Sequence, residues 1–200
     1  MKPHQLRERF KFILTGIILF IIIFSCGRKP PPAEFSATFT ISENENTVIS
    51  GTLYVDGWRY RMNISQENER ISIIVNRNSE WTWLLMPDKK MCTYLADDDP
   101  ENIASDPFLG LRYLESEYDR EFVGNVKIDG YECAEYLIKD DSKKLMTYWE
   151  STALRFPIKI IEHSITDIAT ELSGIIEGDI DDTVFTIPKD YTIVGQRWTP

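Results

Sequence analysis

The chain has 200 residues, of which 32 are acidic and 22 basic, giving a formal net charge of −10 at pH 7. A negative surface does not attract nucleic acid, and it does not hold a protein on anionic lipid headgroups by charge. Both classes of electrostatic partner are therefore excluded, although burial of uncharged acyl chains is not. The length fits one domain with a sizeable hydrophobic core.

The N-terminus has the organisation of a secretory signal. An uncharged run of 13 residues, Phe12 to Phe24, follows a start with four basic residues, Lys2, Arg7, Arg9 and Lys11. The run is too short for a membrane-spanning helix, which needs about 20 residues. Ile23, Ser25 and Cys26 then resemble the lipobox of bacterial lipoproteins. We therefore expect a signal peptide over 1–25 and a mature chain anchored outside the cytoplasm by acyl chains, such as palmitate, on Cys26.

Gly27 follows the expected lipidated cysteine. If the host has two membranes, a glycine at this position favours sorting of the protein to the periplasmic face of the outer membrane. Residues 26–34 read as the lipidated cysteine and a proline-rich tether, because three successive prolines favour an extended chain. We expect residues 35–200 to form a single folded domain. Loss of residues 1–25 removes four basic residues and Glu8, which leaves 18 basic and 31 acidic residues.

Two cysteines remain in the expected domain, Cys92 and Cys133. An even number of cysteines in an oxidising compartment suggests a disulfide, which here would join two strand-like segments. The alternative is two reduced, buried thiols that behave as small apolar side chains.

The first half of the domain alternates apolar and polar residues with a period of two, which predicts antiparallel strands. The Asp56-Gly57 pair is a strong hairpin signal between two of them. Six strands are predicted, namely Phe35–Ile41, Ile49–Val55, Trp58–Ile64, Ile71–Val75, Trp81–Leu85 and Met91–Leu95.

The alternation stops at an acidic stretch, residues 97–106, and a helical pattern follows. Asp106 is placed as an N-cap with Pro107 at the first helical position. Apolar residues then recur at spacings of three, three and four, at Phe108, Leu111, Leu114 and Tyr118. We expect one helix over 107–119 that packs on the sheet.

Strand patterns resume after the helix, with a second hairpin signal at Asp129-Gly130. The predicted strands are Phe122–Ile128, Tyr131–Lys139, Leu145–Glu150, Phe156–His163, Ala169–Ile176 and a closing segment, Phe185–Pro188. The domain is thus mainly β, with about 10–11 antiparallel strands and one inserted helix.

Several segments, in this order and spacing, resemble the LolA/LolB-like lipoprotein-carrier superfamily, including its uncharacterised outer-membrane lipoprotein relatives. They are Gly51–Val55, Arg59–Met62, Glu80–Met91, Val126–Tyr136, Tyr148–Glu150, Phe156–Lys159 and Phe185–Tyr191. The resemblance implies a curved antiparallel half-barrel wrapped over a helix, with an apolar concave face that can hold acyl chains. Two departures stand out, since the carriers usually place a helix before the first strand and the soluble ones lack a lipobox.

Apolar and aromatic residues at alternate strand positions are candidates for lining such a groove. Together with two apolar residues of the predicted helix, the candidate groove residues are Trp58, Tyr60, Met62, Trp81, Trp83, Leu85, Phe108 and Leu111. The alternative is that these side chains form the core between sheet and helix.

The inventory of reactive side chains offers no enzyme motif. His163 is the only histidine after the expected cleavage, which rules out a multi-histidine zinc site, and no GxSxG motif is present. A structural role for His163 is favoured. The acidic groups at 97–99 and 179–182 lack the spacing of an EF-hand. We expect no enzyme activity, no cofactor and no metal.

The sequence leaves two main hypotheses. The first is a membrane-anchored lipoprotein whose apolar groove binds a lipid, an acyl chain or another lipoprotein, in envelope lipid handling. The second is a tethered envelope scaffold or protein-interaction lipoprotein with a filled core and no ligand.

Overall fold

A computed structural model describes residues 31–66, 69–76, 81–96 and 106–195. These residues form one twelve-stranded sheet and one α-helix, α1, Pro107–Glu117. The strands are β1 Phe35–Glu43, β2 Asn46–Asp56, β3 Arg59–Gln66, β4 Glu69–Asn76, β5 Trp81–Met86, β6 Met91–Ala96, β7 Arg120–Ile128, β8 Tyr131–Asp140, β9 Lys143–Ser151, β10 Phe156–Glu162, β11 Ile168–Glu177 and β12 Thr192–Ile193. No helix in these ranges is long and apolar enough to cross a membrane.

The sheet is built from two meanders joined at the first strand. Its order is β12-β6-β5-β4-β3-β2-β1-β11-β10-β9-β8-β7, so β1 pairs with both β2 and β11. The sheet curls around α1 and stays open, which confirms the predicted half-barrel with one helix on its concave face. The strand count is slightly higher than predicted, and β12 pairs with β6 in parallel, whereas an all-antiparallel sheet was expected.

Both predicted hairpins form where the sequence places them. Gly57 has φ +57°, and Asp129 and Gly130 have φ +47° and +91°. Positive φ at the first central residue, as at Gly57, or at both, as at Asp129 and Gly130, is the backbone of the tight turns that match the twist of paired strands.

The helix begins where Asp106 caps it. The carboxylate of Asp106 accepts hydrogen bonds from the backbone N–H of Phe108 at 2.9 Å and of Leu109 at 3.2 Å, and it is fully buried. The hydroxyl of Tyr60 donates to the same carboxylate at 2.8 Å. Asp106 therefore fixes the start of α1 to β3 as well as capping the helix, which ends two residues earlier than predicted.

Four aromatic rings form the centre of the main core between the sheet and α1. Phe108 of the helix lies 4.9 Å from Phe156 and 5.6 Å from Tyr60, measured between ring centroids, and Phe35 lies 5.5 Å from Phe156. Most of these contacts are edge-to-face, the arrangement that aromatic pairs favour. The half-barrel is thus filled by its own side chains around the first turns of α1.

A second, smaller apolar cluster lies under the C-terminal segment. Its buried members are Ile74, Leu85, Cys92 and Phe185. Residues 180–193, here called the C-terminal strap, cover it, and Arg59 stacks on the ring of Phe185 at 4.4 Å. The strap is also held to β6, where the backbone N–H of Thr192 donates to the carbonyl of Lys90 at 2.9 Å.

One expectation is corrected here, and one of the two alternatives for the cysteines is found. Phe185–Pro188 is not a strand, because Asp182–Phe185 form a 3-10 turn that places Phe185 in the second cluster. Cys92 and Cys133 are free thiols rather than a disulfide. They lie in β6 and β8, with eight strands between them in the sheet, and belong to different clusters, whereas a disulfide needs Cα atoms within about 7 Å.

Candidate functional site

Four of the eight residues that were predicted to line a groove lie together, but they are part of the hydrophobic core. Tyr60, Met62, Phe108 and Leu111 are each no more than 4% exposed and belong to the main cluster. They pack under the first turns of α1, where the sheet and the helix are in direct contact. These four side chains therefore do not line an open groove in this structure.

Trp83 of β5 lies on the other face of the sheet. Ile74 pairs with Trp83, and both belong to the second cluster, as does Leu85. The neighbouring residue Val75, which pairs with Thr82, belongs to the main core. Trp83 and Leu85 were predicted to face the helix, but they face the second cluster. Leu84, which alternates with them, packs against the main core instead.

Two further candidates lie apart from the groove set. Trp58 is half-buried in the turn between β2 and β3. The side chain of Trp81 lies outside the described residues, as do Cys26 and the acidic stretch at 97–99.

An open cavity lies beside the last turns of α1, at one end of the half-barrel. It has a volume of about 500 Å³ and lies between the helix and the ends of β9 and β10. We call it the distal cavity, and its lining is Leu114, Lys143, Leu145, Glu162, His163, Ser164 and Ile165. Leu114 and Leu145 also pack against the main core, so the floor of the cavity is continuous with it.

A polar network stands between the end of α1 and the sheet. The hydroxyl of Tyr148 donates to Glu115 at 2.5 Å, and the guanidinium of Arg120 donates to that hydroxyl at 2.7 Å. Arg120 also stacks on Tyr136 at 4.2 Å. Burial, together with the acceptor Glu115, raises the pKa of Tyr148 far above its ordinary value, so this phenol stays a donor.

The same network borders a second cavity of about 460 Å³, which is lined largely by charged residues. Arg120 and Lys139 face five carboxylates there, Glu117, Asp119, Glu121, Asp140 and Asp141. Lys139 binds Glu121 at 2.6 Å, and this ammonium holds the pKa of Glu121 below its usual range. An acidic, solvated cavity of this kind does not suit an apolar ligand.

His163 links strand β9 to the loop after β10. Its Nε2 lies 2.8 Å from the hydroxyl of Thr147, and its Nδ1 lies 3.3 Å from the carboxylate of Asp167. These contacts fit the structural role expected for His163, which also forms part of the rim of the distal cavity. Within the described residues no group of three or more histidine, cysteine or acidic side chains could hold a metal ion.

The chain's fold recurs in solved structures of low sequence identity. An uncharacterised conserved protein from Thermus thermophilus matches with 10% identity over 82% of this chain and 90% of that chain, at a TM-score of 0.56. MucB, in complex with MucA(peri), matches with 14% identity over 84% of this chain and 60% of that chain, at a TM-score of 0.50. This chain thus spans less than two thirds of MucB.

A LolA superfamily protein, NE2245 from Nitrosomonas europaea, is also among the matches, with 13% identity over 78% of this chain and 91% of that chain, at a TM-score of 0.42. The half-barrel expected from the sequence resemblance recurs in the first two of these structures. At these identities the likeness concerns the fold alone.

Sequence comparison gives the family. A search of curated proteins finds no match. Residues 38–155 match one family over more than half of the chain, and this protein therefore belongs to the family described as Domain of unknown function (DUF4412).

Proposed function

We propose that this protein is a membrane-anchored envelope lipoprotein that binds an acyl chain or a similarly apolar ligand in the distal cavity, without enzyme activity. The observation that carries the proposal is the open cavity of about 500 Å³ at the end of α1, whose aliphatic floor is continuous with the main core. That volume lies within the range of about 300–1,000 Å³ typical of small-molecule sites.

The lining of the distal cavity supports an apolar ligand with a polar end. Leu114 and Leu145 give it an aliphatic floor, and Ile165 is fully exposed at its rim. Lys143 lies beside these residues and can meet a carboxylate or phosphate headgroup. In ligand sites an apolar floor supplies most of the contact area, and the polar groups around it fix the orientation of the ligand.

A fluorescent fatty-acid probe tests the proposal on a soluble form comprising residues 27–200. The wild type should bind it saturably, with little dependence on salt, because apolar burial is not screened. Leu145→Asp should weaken binding at least about tenfold, which corresponds to ~1.4 kcal/mol. Ile176→Asp places the same charge at a residue that is already 70% exposed and should bind like the wild type.

Trp83→Ala is a second control, because Trp83 belongs to the cluster under the C-terminal strap. Its probe affinity should equal that of the wild type. Absence of saturable binding by the wild type, or equal loss in Leu145→Asp and Ile176→Asp, would reject the ligand proposal.

The second candidate function is an envelope scaffold or protein-interaction lipoprotein without a ligand. Two observations favour it. The core around Phe108 is filled, and a solved structure with this fold, MucB, is a complex with a protein, MucA(peri). Failure of probe binding by the wild type would leave this candidate.

The proposed anchor is the acylated Cys26, which would place the protein on the envelope membrane, at the outer membrane's periplasmic face in a host with two membranes. The support is the lipobox-like segment Ile23 to Cys26. Cys26→Ser should abolish incorporation of labelled fatty acid and leave precursor or soluble protein. Continued labelling of Cys26→Ser would contradict the anchor.

A further inference from the structure

The last residues of the expected tether are docked on the folded domain. The backbone N–H of Ala33 donates to the carbonyl of Leu154 at 2.9 Å, and the side chain of Arg155 donates to the carbonyl of Pro31 at 2.6 Å. Both partners belong to the turn between β9 and β10. The chain is therefore fixed from Pro31 onward, four residues before the expected start of the domain at Phe35.

Glu34 continues the same docking on the end of β11. Its carbonyl accepts a hydrogen bond from the backbone N–H of Gly178 at 3.1 Å, and its carboxylate accepts one from the backbone N–H of Ile180 at 3.2 Å. Pro31 also lies close to Gly57, where an added Cβ would be 3.8 Å from the proline side chain. Three separate turns thus hold residues 31–34.

These turns lie at one end of the strands, and the distal cavity lies at the other. We call the end with Gly57, Leu154 and Gly178 the anchor end. Strand β9 runs from Lys143, in the lining of the distal cavity, to Ser151, next to the turn that holds Ala33. Its nine residues separate the two ends by roughly 26 Å at about 3.3 Å per residue.

We propose that the docked segment orients the domain on its membrane, with the anchor end toward the bilayer and the distal cavity open to the aqueous compartment. This rests on the proposed acylation of Cys26. Five residue steps separate Cys26 from Pro31, and an extended chain spans at most about 3.6 Å per residue, so the anchor end lies within roughly 18 Å of the acylated cysteine.

The charge of the folded domain does not favour adhesion of the anchor end to anionic lipid. Among the described residues the anchor end has more carboxylates than cations: Glu34, Asp129, Glu132, Glu177, Asp179 and Asp181 lie there, beside Arg59, Lys127 and Arg155. Such a surface is repelled by anionic headgroups, over a distance set by the salt concentration. The short docked tether therefore sets the orientation against a repulsive surface.

The orientation determines the route of a ligand. The distal cavity opens on the side away from the anchoring bilayer, so an apolar ligand reaches it from the aqueous compartment and does not pass directly from the anchoring leaflet. The supply must then be a species that presents the acyl chain in the aqueous phase, such as a dispersed lipid or a protein-bound one.

Energy transfer from dye-labelled protein to an acceptor lipid tests the orientation. The acylated mature protein would be placed in phosphatidylcholine vesicles, with the donor on Glu132→Cys at the anchor end or on Ser142→Cys at the cavity end. The protein without an added cysteine gives the labelling background of the two buried thiols. Transfer from Glu132→Cys should exceed that from Ser142→Cys about twofold or more, given the difference of roughly 26 Å.

A variant of the docking contact provides the matched comparison. Arg155→Ala removes the bond to Pro31 and should reduce the difference between the two donor positions, whereas Arg112→Ala, on the exposed face of α1, should not. Equal transfer from both positions, or greater transfer from Ser142→Cys, would overturn the orientation.

Vesicle flotation separates this result from failure of the anchor. Protein that floats but transfers equally from both positions refutes the orientation alone. Protein that does not float refutes the acyl anchor and the orientation with it, and neither outcome affects the fatty-acid binding measured on the soluble form.

Discussion

Replacing Asp106 tests whether one buried carboxylate holds the helix inside the half-barrel. Asp106→Ala removes the cap of α1, which typically costs about 1 kcal/mol, and the acceptor of the Tyr60 hydroxyl, where hydrogen bonds to charged groups are worth about 1.5–3 kcal/mol. We therefore expect a loss of about 3 kcal/mol in the free energy of unfolding. For a chain of this size that lowers the Tm by roughly 6–12 °C.

Tyr60→Phe is the matched variant, because it removes the hydroxyl but keeps the ring in the core. It should cost about 2 kcal/mol, and the double variant should cost about 3 kcal/mol rather than the sum of the two, since one hydrogen bond is shared. Urea unfolding of residues 27–200, followed by circular dichroism, gives all three values. The reasoning would be refuted if the double variant lost the sum of the two single losses in the free energy of unfolding. It would also be refuted if the Tm of Asp106→Ala, measured by thermal unfolding, lay within about 2 °C of the wild type.

Three further predictions concern the sheet, the thiols and the C-terminal strap. Gly51→Ala should cost about 1–3 kcal/mol in urea unfolding, because its Cβ would meet the carbonyl of Asn63 at 2.1 Å, whereas Gly124→Ala, with nothing within 4 Å, should be neutral. The two buried thiols, whose pKa burial raises, should react with a thiol reagent only in denaturant and should both react there without reductant; one bridged pair would contradict this. The Lys90 ammonium holds the pKa of Asp190 below its ordinary value, so the contribution of this pair is present above about pH 4 and is lost as the pH falls through the lowered value; the protection of the strap's amides against exchange, corrected for the intrinsic pH dependence of the exchange rate, should then fall on acidification in the wild type but not in Lys90→Ala.

Local signals in the sequence predicted most of the fold. The Asp-Gly pairs at 56 and 129 place two hairpins because only a few residues accept the positive φ of their turns. Asp106 before Pro107 places the start of α1, since capping depends on neighbouring residues alone. The half-barrel with one inserted helix followed from the order of these local elements.

Contacts between distant residues were the part that the sequence did not predict. The parallel pairing of β12 with β6 and the strap over Phe185 join segments about a hundred residues apart, and no local pattern encodes them. The face of β5 was misassigned for a related reason. A period of two defines two faces, and only the partner strand determines which face is the core.

The sequence predicted an apolar site between the sheet and the helix, but not the residues that line the distal cavity. Tyr60 and Phe108 were expected either to line a groove or to form the core, and the helix position makes them core. The distal cavity arises from Leu114 and Leu145, which are 31 positions apart and carry no distinguishing motif. Single aliphatic residues in a helix and a strand read as ordinary core, so only the fold could bring this site to notice.

Native mass spectrometry of the protein extracted from its own membrane tests the central claim most directly. Binding of an acyl ligand in the distal cavity predicts a second, non-covalent mass of lipid size on the acylated chain, which is lost in Leu145→Asp and kept in Ile176→Asp. An acylated chain that carries no such mass in the wild type, under conditions where the fold is intact, would contradict the claim and leave the scaffold function.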